Sequence, residues 1–99
     1  MNIKINSVKF VPTAELETFV QEKIKKLMQY YDDIVGVEVF LKLENRHKIN
    51  NKVAEIRLEI PGNDLFAKKQ SDTFEESTDN AVEALRRQIK KHKEKLRGV

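Results

Sequence analysis

A chain of 99 residues is long enough for one domain with a single two-layer core, and 39% hydrophobic residues are too many for a disordered chain. The absence of cysteine excludes disulfides and thiolate metal sites and fits a reducing cytosol. The net charge is +3, and no apolar run approaches the ~20 residues of a membrane span or the h-region of a signal peptide. We therefore expect one soluble cytoplasmic domain over residues 1–99.

The beginning of the chain predicts a strand and then a helix. Apolar and polar residues alternate over residues 2–9, which is the period of a strand. Pro12 cannot donate to a strand ladder, and Thr13 is a good N-cap for a helix that begins at residue 14. From residue 14 to residue 31 the apolar residues recur at helical spacing, and acidic residues lie in the first turn, where the helix dipole favours them.

The middle of the chain predicts three more strands. Residues 37–44 and 54–60 each alternate apolar with charged residues, and a polar loop over residues 45–51 joins them. Residues 61–63, Pro-Gly-Asn, predict a turn, because Pro presets the first central φ and Gly permits a positive φ at the second. A short strand over residues 64–70 comes next. One apolar and one charged face per strand indicate an antiparallel sheet that is covered on one side only.

A long helix is predicted over residues 74–97, capped by Ser71-Asp72-Thr73. Its apolar stripe consists of Ala81, Val82, Leu85, Ile89, His92 and Leu96. The order β-α-β-β-β-α predicts an α+β fold, a two-layer sandwich in which two helices pack on one face of a four-stranded sheet. This arrangement is similar to that of double-stranded RNA-binding domains.

Basic residues are concentrated at the carboxyl end of the chain. Residues 86–99 carry seven Lys/Arg and one Glu, a net charge of +6, whereas residues 1–85 carry twelve Lys/Arg and fifteen Asp/Glu, a net charge of −3. This asymmetry favours a polyanionic partner over general solubility. A solvated helix face is the alternative, since cations near a helix C-terminus are mildly stabilising in any case. A membrane partner is disfavoured, because large apolar residues do not border the charges.

A helical wheel divides these basic residues into two flanks beside the apolar stripe. The flanks are Arg87, Lys91 and Lys95 on one side and Arg86, Lys90, Lys93 and Arg97 on the other. In the first helix, Lys23 falls inside the apolar arc and Lys26 at its edge, so their ammonium groups must rise out of a groove between the helices. We expect the flank that begins with Arg87 to form the opposite wall of this groove.

The remaining candidates for chemistry are weak. His92 lies on the apolar stripe and is expected to be a packed histidine, while His47 lies in a loop without an acidic partner. Asp32-Asp33 come after the first helix and are typical of a turn. No motif for a nucleophile, a phosphate-binding loop or a metal is present, so we expect no catalytic residue, no cofactor, no metal and no small-molecule substrate. The chain is predicted not to be an enzyme.

Four aromatic residues could stack on nucleic-acid bases. Tyr31 falls on the apolar face of the first helix, so packing in the core is expected for it, whereas its neighbour Tyr30 is a candidate for stacking. Phe40 and Phe66 are predicted to project from the open face of the sheet. Two phenylalanines among charged residues are weak evidence, and the charge distribution favours the helix side.

Three segments together resemble one protein family. Residues 85–95, LRRQIKKHKEK, are similar to the signature L-x-R-Q-L-x-K-H-K-x-K, and residues 22–27, EKIKKL, with YY at 30–31, are similar to K-x-x-K-L-x-x-Y-F. Residues 61–65, PGNDL, match a strand-joining turn, and Asp79 matches an acidic position of the second helix. These segments resemble the ribosome hibernation-promoting factors, also called the ribosome-associated inhibitor A or sigma-54 modulation family.

The resemblance implies binding to 16S ribosomal RNA in the decoding region of the small ribosomal subunit. There the protein would block the mRNA and tRNA sites and inhibit translation in stationary phase or stress. Carried over by position, the residues that contact rRNA are Lys23, Lys26, Arg87 and Lys91, with Lys95, Lys90, Lys93 and Arg86 as additions. Phe74-Glu75 stand where the family has Met-Tyr, and the end at Val99 predicts a short form. A general double-stranded RNA binder and a protein-interaction module remain as alternatives.

Overall fold

The computed structural model describes residues 2–44 and 51–96 of the chain. Its elements are β1 (Asn2–Val8), α1 (Ala14–Tyr30), β2 (Gly36–Leu43), β3 (Lys52–Glu59), β4 (Leu65–Ser71) and α2 (Phe74–Leu96). The predicted order is confirmed, and each predicted boundary that falls among the described residues lies within two residues of the observed one. Of the predicted loop over residues 45–51, residues 45–50 lie outside the described residues, and so do His47 within it and the predicted end of the last helix at Arg97.

The four strands lie in the order β1-β2-β3-β4. β2 and β4 are antiparallel to β3, but β1 is parallel to β2, with Ile3 opposite Val37. The prediction of a purely antiparallel sheet is therefore wrong for this pair. The reason is α1, because a strand–helix–strand connection carries the chain back to the starting edge and leaves the two strands parallel.

The core lies between the sheet and the two helices, which leave the other face of the sheet uncovered. Its fully buried large side chains include Ile24 and Leu27 of α1, Leu41 of β2, Ile56 and Leu58 of β3, and Leu85 and Ile89 of α2. The predicted stripe of α2 is confirmed from Ala81 to Ile89, whereas His92 is only half-buried and packs edge-on against Tyr31 at 6.0 Å. The side chain of Leu96 lies outside the described residues.

Hydroxyl groups fix the start of α2 against the sheet. The Thr73 hydroxyl accepts a hydrogen bond from the Glu76 backbone N–H at 3.0 Å, as an N-cap does. The fully buried Ser77 hydroxyl donates to the Lys52 carbonyl at 2.6 Å and lies 2.7 Å from the Ser71 hydroxyl. These bonds anchor the first turns of α2 to β3 and β4, and they thereby set where its basic second half lies.

The two helices run side by side in the same direction. At their amino ends Phe10 stacks on Phe74 with ring centroids 4.5 Å apart, and at the carboxyl end of α1 the ring of Tyr31 meets His92 of α2. α2 has 23 residues and α1 has 17, so α2 provides the longer surface. Among the described residues, neither helix combines the length and the apolar composition that crossing a membrane requires.

Candidate nucleic-acid interface

A groove runs between α1 and α2 on the side away from the sheet. It is lined by Lys23, Lys26, Gln29 and Tyr30 of α1 and by Asp79, Asn80, Glu83 and Arg86 of α2. Lys23 extends past the ring of Phe19, with its Nζ 5.4 Å from the ring centroid, and reaches Asp79 Oδ1 at 3.0 Å. The prediction that Lys23 and Lys26 line a groove beside the second helix is confirmed.

On α2, the wall of the groove is formed by the flank that begins with Arg86. The prediction that the flank beginning with Arg87 forms this wall is wrong. The Arg86 guanidinium carbon lies 5.2 Å from the centroid of the Tyr30 ring on α1. On the other side of α2, Gln88 Nε2 donates to the Phe66 carbonyl of β4 at 2.9 Å. Arg87 and Lys91 are exposed and lie between this β4 side and the outer surface of α2.

Sequence alone could not choose between the two flanks, for a physical reason. A helical wheel gives the angle of each side chain about its own axis, but not the side on which the neighbouring helix lies. That side depends on the handedness of the β1-α1-β2 connection, which is a property of the assembled sheet. We call Arg86, Lys90 and Lys93 the groove flank, and Arg87, Lys91 and Lys95 the outer flank.

Lys93 of the groove flank is engaged within the protein. Its Nζ donates to the Tyr30 carbonyl at 3.1 Å and lies 4.4 Å and 5.5 Å from the centroids of the Tyr30 and Tyr31 rings. The last turn of α1 contains no basic residue of its own. Since the last carbonyls of a helix carry partial negative charge, Lys93 supplies from α2 the cation that the end of α1 lacks.

The other basic residues in the second half of α2 present their charge to solvent. Arg87, Lys90, Lys91 and Lys95 are all exposed. Within residues 2–44 and 51–96, none of these four forms an ion pair. These cations outnumber the acidic residues beside them on α2, and a local excess of positive charge is what attraction of a polyanion requires.

Three cations on the open face of the sheet, Lys42, Arg57 and Lys68, form ion pairs. The ion pairs are Arg57–Glu38 at 2.7 Å, Arg57–Glu59 at 3.7 Å, Lys42–Glu55 at 2.8 Å and Lys68–Glu55 at 3.9 Å. Phe66 is 49% exposed on this face, as predicted, and Phe40 is half-buried with Lys42 Nζ 5.9 Å from its ring centroid. These glutamates offset positive charge on the open face, so we expect it to attract a polyanion less than the basic half of α2 does.

The two tyrosines at the end of α1 differ in environment. Tyr31 is buried, which confirms the prediction, whereas Tyr30 is 37% exposed beside the groove. Burial raises the pKa of Tyr31, and the Asp33 carboxylate, which accepts a hydrogen bond from the phenol, raises the pKa further. The prediction of a turn at Asp32-Asp33 is also confirmed. In the described ranges, no three His, Asp or Glu side chains are grouped as a metal site would require.

Sequence reasoning missed the carboxylates of the groove. In the sequence, Asp79 stands out only by its match to a family position, and Glu83 does not stand out at all. Both lie on the groove wall formed by α2. A signal for Asp79 exists, because it precedes Arg86 by seven residues, two turns of a helix, and therefore shares its side.

Comparison with known sequences gives consistent matches over the whole chain. The family model described as "Sigma 54 modulation protein / S30EA ribosomal protein" matches residues 3–97. A ribosome hibernation promoting factor of Pseudomonas putida is 34% identical over 99 residues, which cover 100% of this chain and 93% of the relative. The protein of the same name from Escherichia coli K12 is 34% identical over 97 residues, which cover 98% of this chain and 96% of the relative.

Solved structures share the fold. A ribosomal subunit interface protein from Coxiella burnetii superimposes with a TM-score of 0.83 at 20% identity, covering 94% of this chain and 98% of the other. The N-terminal domain of Thermus thermophilus Protein Y superimposes with a TM-score of 0.78 at 26% identity, covering 93% of this chain and 99% of that domain. The four-stranded mixed sheet with two helices is therefore the architecture of these proteins too.

Proposed function

Because the chain belongs to the Sigma 54 modulation protein / S30EA ribosomal protein family, we propose that it holds ribosomes inactive by binding 16S ribosomal RNA in the decoding region of the small subunit. The family comprises ribosome hibernation and interface factors, so the chain is not an enzyme. The names of the relatives support a role in ribosome hibernation and inhibition of translation. On this proposal the protein acts in the cytoplasm, where ribosomes are, during stationary phase or stress.

The observation that carries the proposed mode of binding is the row of exposed cations on α2, none of which forms an ion pair within the described part of the chain. Arg87, Lys91 and Lys95 succeed one another at i, i+4 and i+8 and repel one another in the free helix. A phosphate backbone laid along this row relieves the repulsion and releases condensed counterions. Steep dependence of affinity on salt concentration is therefore expected.

The groove adds a second set of contacts beside the outer flank. Lys23, Lys26 and Arg86 stand in its walls, and Lys90 lies on the groove flank nearby. Lys93 holds the end of α1, and on this proposal it contributes positive charge to the same surface. The two helices form a rigid wedge, and a folded RNA is recognised by shape more than by base edges.

Inhibition on this account is competition, and no covalent bond is made or broken. A wedge that occupies the mRNA channel and the tRNA sites of the small subunit prevents both ligands from binding. Affinity and inhibition should then change together, because each cation removed from the wedge weakens both. Prebound mRNA and tRNA should in turn reduce binding of the protein.

The proposal is tested by sedimenting the protein with purified small subunits, large subunits and whole ribosomes, and by adding it to a translation assay. We expect it in the small-subunit and whole-ribosome fractions at low salt, release at high salt, and inhibition of translation over the same protein concentrations. A long RNA duplex serves as competitor. Absence from both fractions at low salt, or preference for the duplex over small subunits, would contradict the proposal.

A further inference from the structure

Lys23 is already paired in the free protein, with a carboxylate on the opposite helix. Its Nζ lies 3.0 Å from Asp79 Oδ1, and the two side chains are 34% and 49% exposed. A half-exposed ion pair of this kind is weak and can be displaced by another ligand. Any phosphate that approaches Lys23 must therefore compete with Asp79 for it.

The groove and the outer flank differ in their balance of charge. The groove is lined by three cations, Lys23, Lys26 and Arg86, and by two carboxylates, Asp79 and Glu83, which gives three minus two, or +1. The outer flank presents three exposed cations, and none of them is in an ion pair among the described residues. The excess of positive charge that a phosphate backbone meets is smaller in the groove than along the outer flank, although Glu94 lies within one helical turn of Lys91 and Lys95.

The remaining polar lining of the groove is suited to hydrogen-bond donors. Carboxylates accept hydrogen bonds and cannot donate them, and the amides of Gln29 and Asn80 do both. Folded RNA offers donors of this kind in its ribose 2′-hydroxyls and in the amino groups of its bases. Duplex DNA has no 2′-hydroxyl and turns its phosphates outward. The groove therefore favours a donor-bearing edge of RNA, and it attracts bare phosphate less strongly than the outer flank does.

We propose that Asp79 is a specificity-determining residue, which keeps generic polyanions out of the groove and accepts a hydrogen bond from a ribose hydroxyl or a base amino group of the correct RNA. The proposal rests on the proposed function and deepens it. Specificity is a difference between two affinities, and repulsion of the wrong partner increases it even when affinity for the right partner does not rise. The outer flank supplies affinity, and the groove supplies discrimination.

The test compares Asp79→Asn with the unaltered chain against two probes, purified small subunits and a duplex DNA of fixed length. Removing one negative charge a few ångströms from a phosphate should tighten binding to the DNA about fivefold. It should also steepen the slope of log affinity against log salt by about 0.9, the value for one more phosphate neutralised. Binding to small subunits should not tighten, so the ratio of the two affinities falls at least fivefold.

Two further variants keep this test decisive. Glu83→Gln removes the second carboxylate of the groove and leaves the Lys23–Asp79 ion pair intact, so it should tighten DNA binding in the same direction. Glu17→Gln makes the same change of charge at an exposed position in the first turn of α1, outside the groove, and should alter DNA binding less than about twofold. Thermal unfolding checks that all variants are folded.

Each other outcome overturns the proposal. Equal tightening for both probes would mean that Asp79 only lowers the overall charge, and no change for either probe would mean that it plays no part. Weaker binding to both probes would mean that Asp79 merely positions Lys23. If the unaltered chain showed no preference for small subunits, the proposed function would fail instead, while the DNA titrations would still report whether Asp79 repels phosphate.

Discussion

Two surfaces of this molecule carry similar numbers of lysines and arginines, but they differ in what neutralises them. On the open face of the sheet, Lys42, Arg57 and Lys68 each lie within 4 Å of a glutamate. On the outer flank of α2, Arg87 and Lys91 have no such partner among the described residues. The number of basic residues does not distinguish the two surfaces. Their ion pairing does, because, of these cations, only those on the outer flank are available to bind an anionic ligand.

The difference arises from the geometry of the two elements. Neighbouring strands bring opposite charges face to face, and the register places Arg57 opposite Glu38 and Lys68 opposite Glu55. A helix instead brings residues four apart together, and Arg87, Lys91 and Lys95 are all basic at that spacing. Cross-strand ion pairs therefore form between charged residues of the sheet, whereas Arg87 and Lys91 of α2 form none among the described residues.

The strongest test of this difference compares two pairs of truncations that remove the same charge. Arg87→Ala with Lys91→Ala should weaken binding to small subunits about 25-fold, if each lost phosphate contact is worth about fivefold. The slope of log affinity against log salt should become shallower by about 1.8, since two fewer phosphates are neutralised. Filter binding or sedimentation over a range of salt concentrations measures both quantities.

The matched control removes two paired cations from the sheet. Lys42→Ala with Lys68→Ala should leave affinity for small subunits within about twofold and the salt slope unchanged, because both cations lie on the open face of the sheet, away from the proposed interface, and share Glu55 as ion-pair partner. If both double variants lost the same affinity for small subunits, the distinction between paired and unpaired cations would be contradicted. The protein would then bind through its general charge.

Within α2 itself, Lys93 is expected to behave unlike its neighbour Lys90. Lys93→Met keeps the apolar stem but removes the ammonium that the Tyr30 carbonyl and the two tyrosine rings share, so the free energy of unfolding should fall by about 1 kcal/mol. Lys90→Met removes an exposed charge and should change the free energy of unfolding by less than about 0.3 kcal/mol. Urea unfolding measures both, and equal values would refute the assigned role of Lys93.

A smaller effect on stability is expected on the sheet. Arg57 lies 2.7 Å from Glu38 and is 45% exposed, so solvent screens the pair and Arg57→Met should cost about 0.5 kcal/mol of unfolding free energy. Arg87→Met should leave the free energy of unfolding unchanged in the same urea titration. Of the two variants, only Arg87→Met should weaken ribosome binding. A stability loss from Arg87→Met equal to that from Arg57→Met would show that the outer flank, too, is held by contacts inside the protein.

The smallest expected effect concerns pH and the end of α1, where Lys93 and His92 of α2 meet Tyr31. Burial and then Asp33 raise the pKa of Tyr31 above its ordinary value of 10.0, so the unfolded chain ionises first. The stability that neutral Tyr31 contributes is therefore intact below pH 10.0 and is lost as the pH rises through the raised pKa. Between about pH 9 and pH 11 the unaltered chain should lose more stability than Tyr31→Phe, and equal losses would contradict this.

Much of the fold could be predicted from local patterns, because periodicity, Pro12, Thr13 and the turn at Gly62 act within a few residues of themselves. The parallel pairing of β1 and β2 was not predicted, since strand direction depends on where α1 crosses the sheet. The buried Ser77 was not predicted either, because its partner Lys52 lies 25 residues away. Local chemistry was visible in the sequence, and relations between distant elements were not.

The candidate site shows the same division. The two basic flanks of α2 could be placed from its sequence, as could Lys23 and Lys26 beside the other helix. Which flank faces the groove was predicted wrongly, because the wheel of one helix contains no information about the side of its neighbour. The pairing of Lys23 with Asp79 emerged only once the two helices were side by side.

The central claim, that α2 docks on the decoding region and the open sheet does not, can be tested directly because the chain has no cysteine. An iron chelate attached to Glu94→Cys on α2, or to Lys68→Cys on the sheet, cleaves whatever RNA lies near it in the complex with small subunits. We predict cleavage of 16S rRNA in the decoding region from the α2 probe, and weaker cleavage there from the sheet probe. Decoding-region cleavage from the sheet probe alone, or cleavage from the α2 probe confined to other parts of the rRNA, would contradict the account.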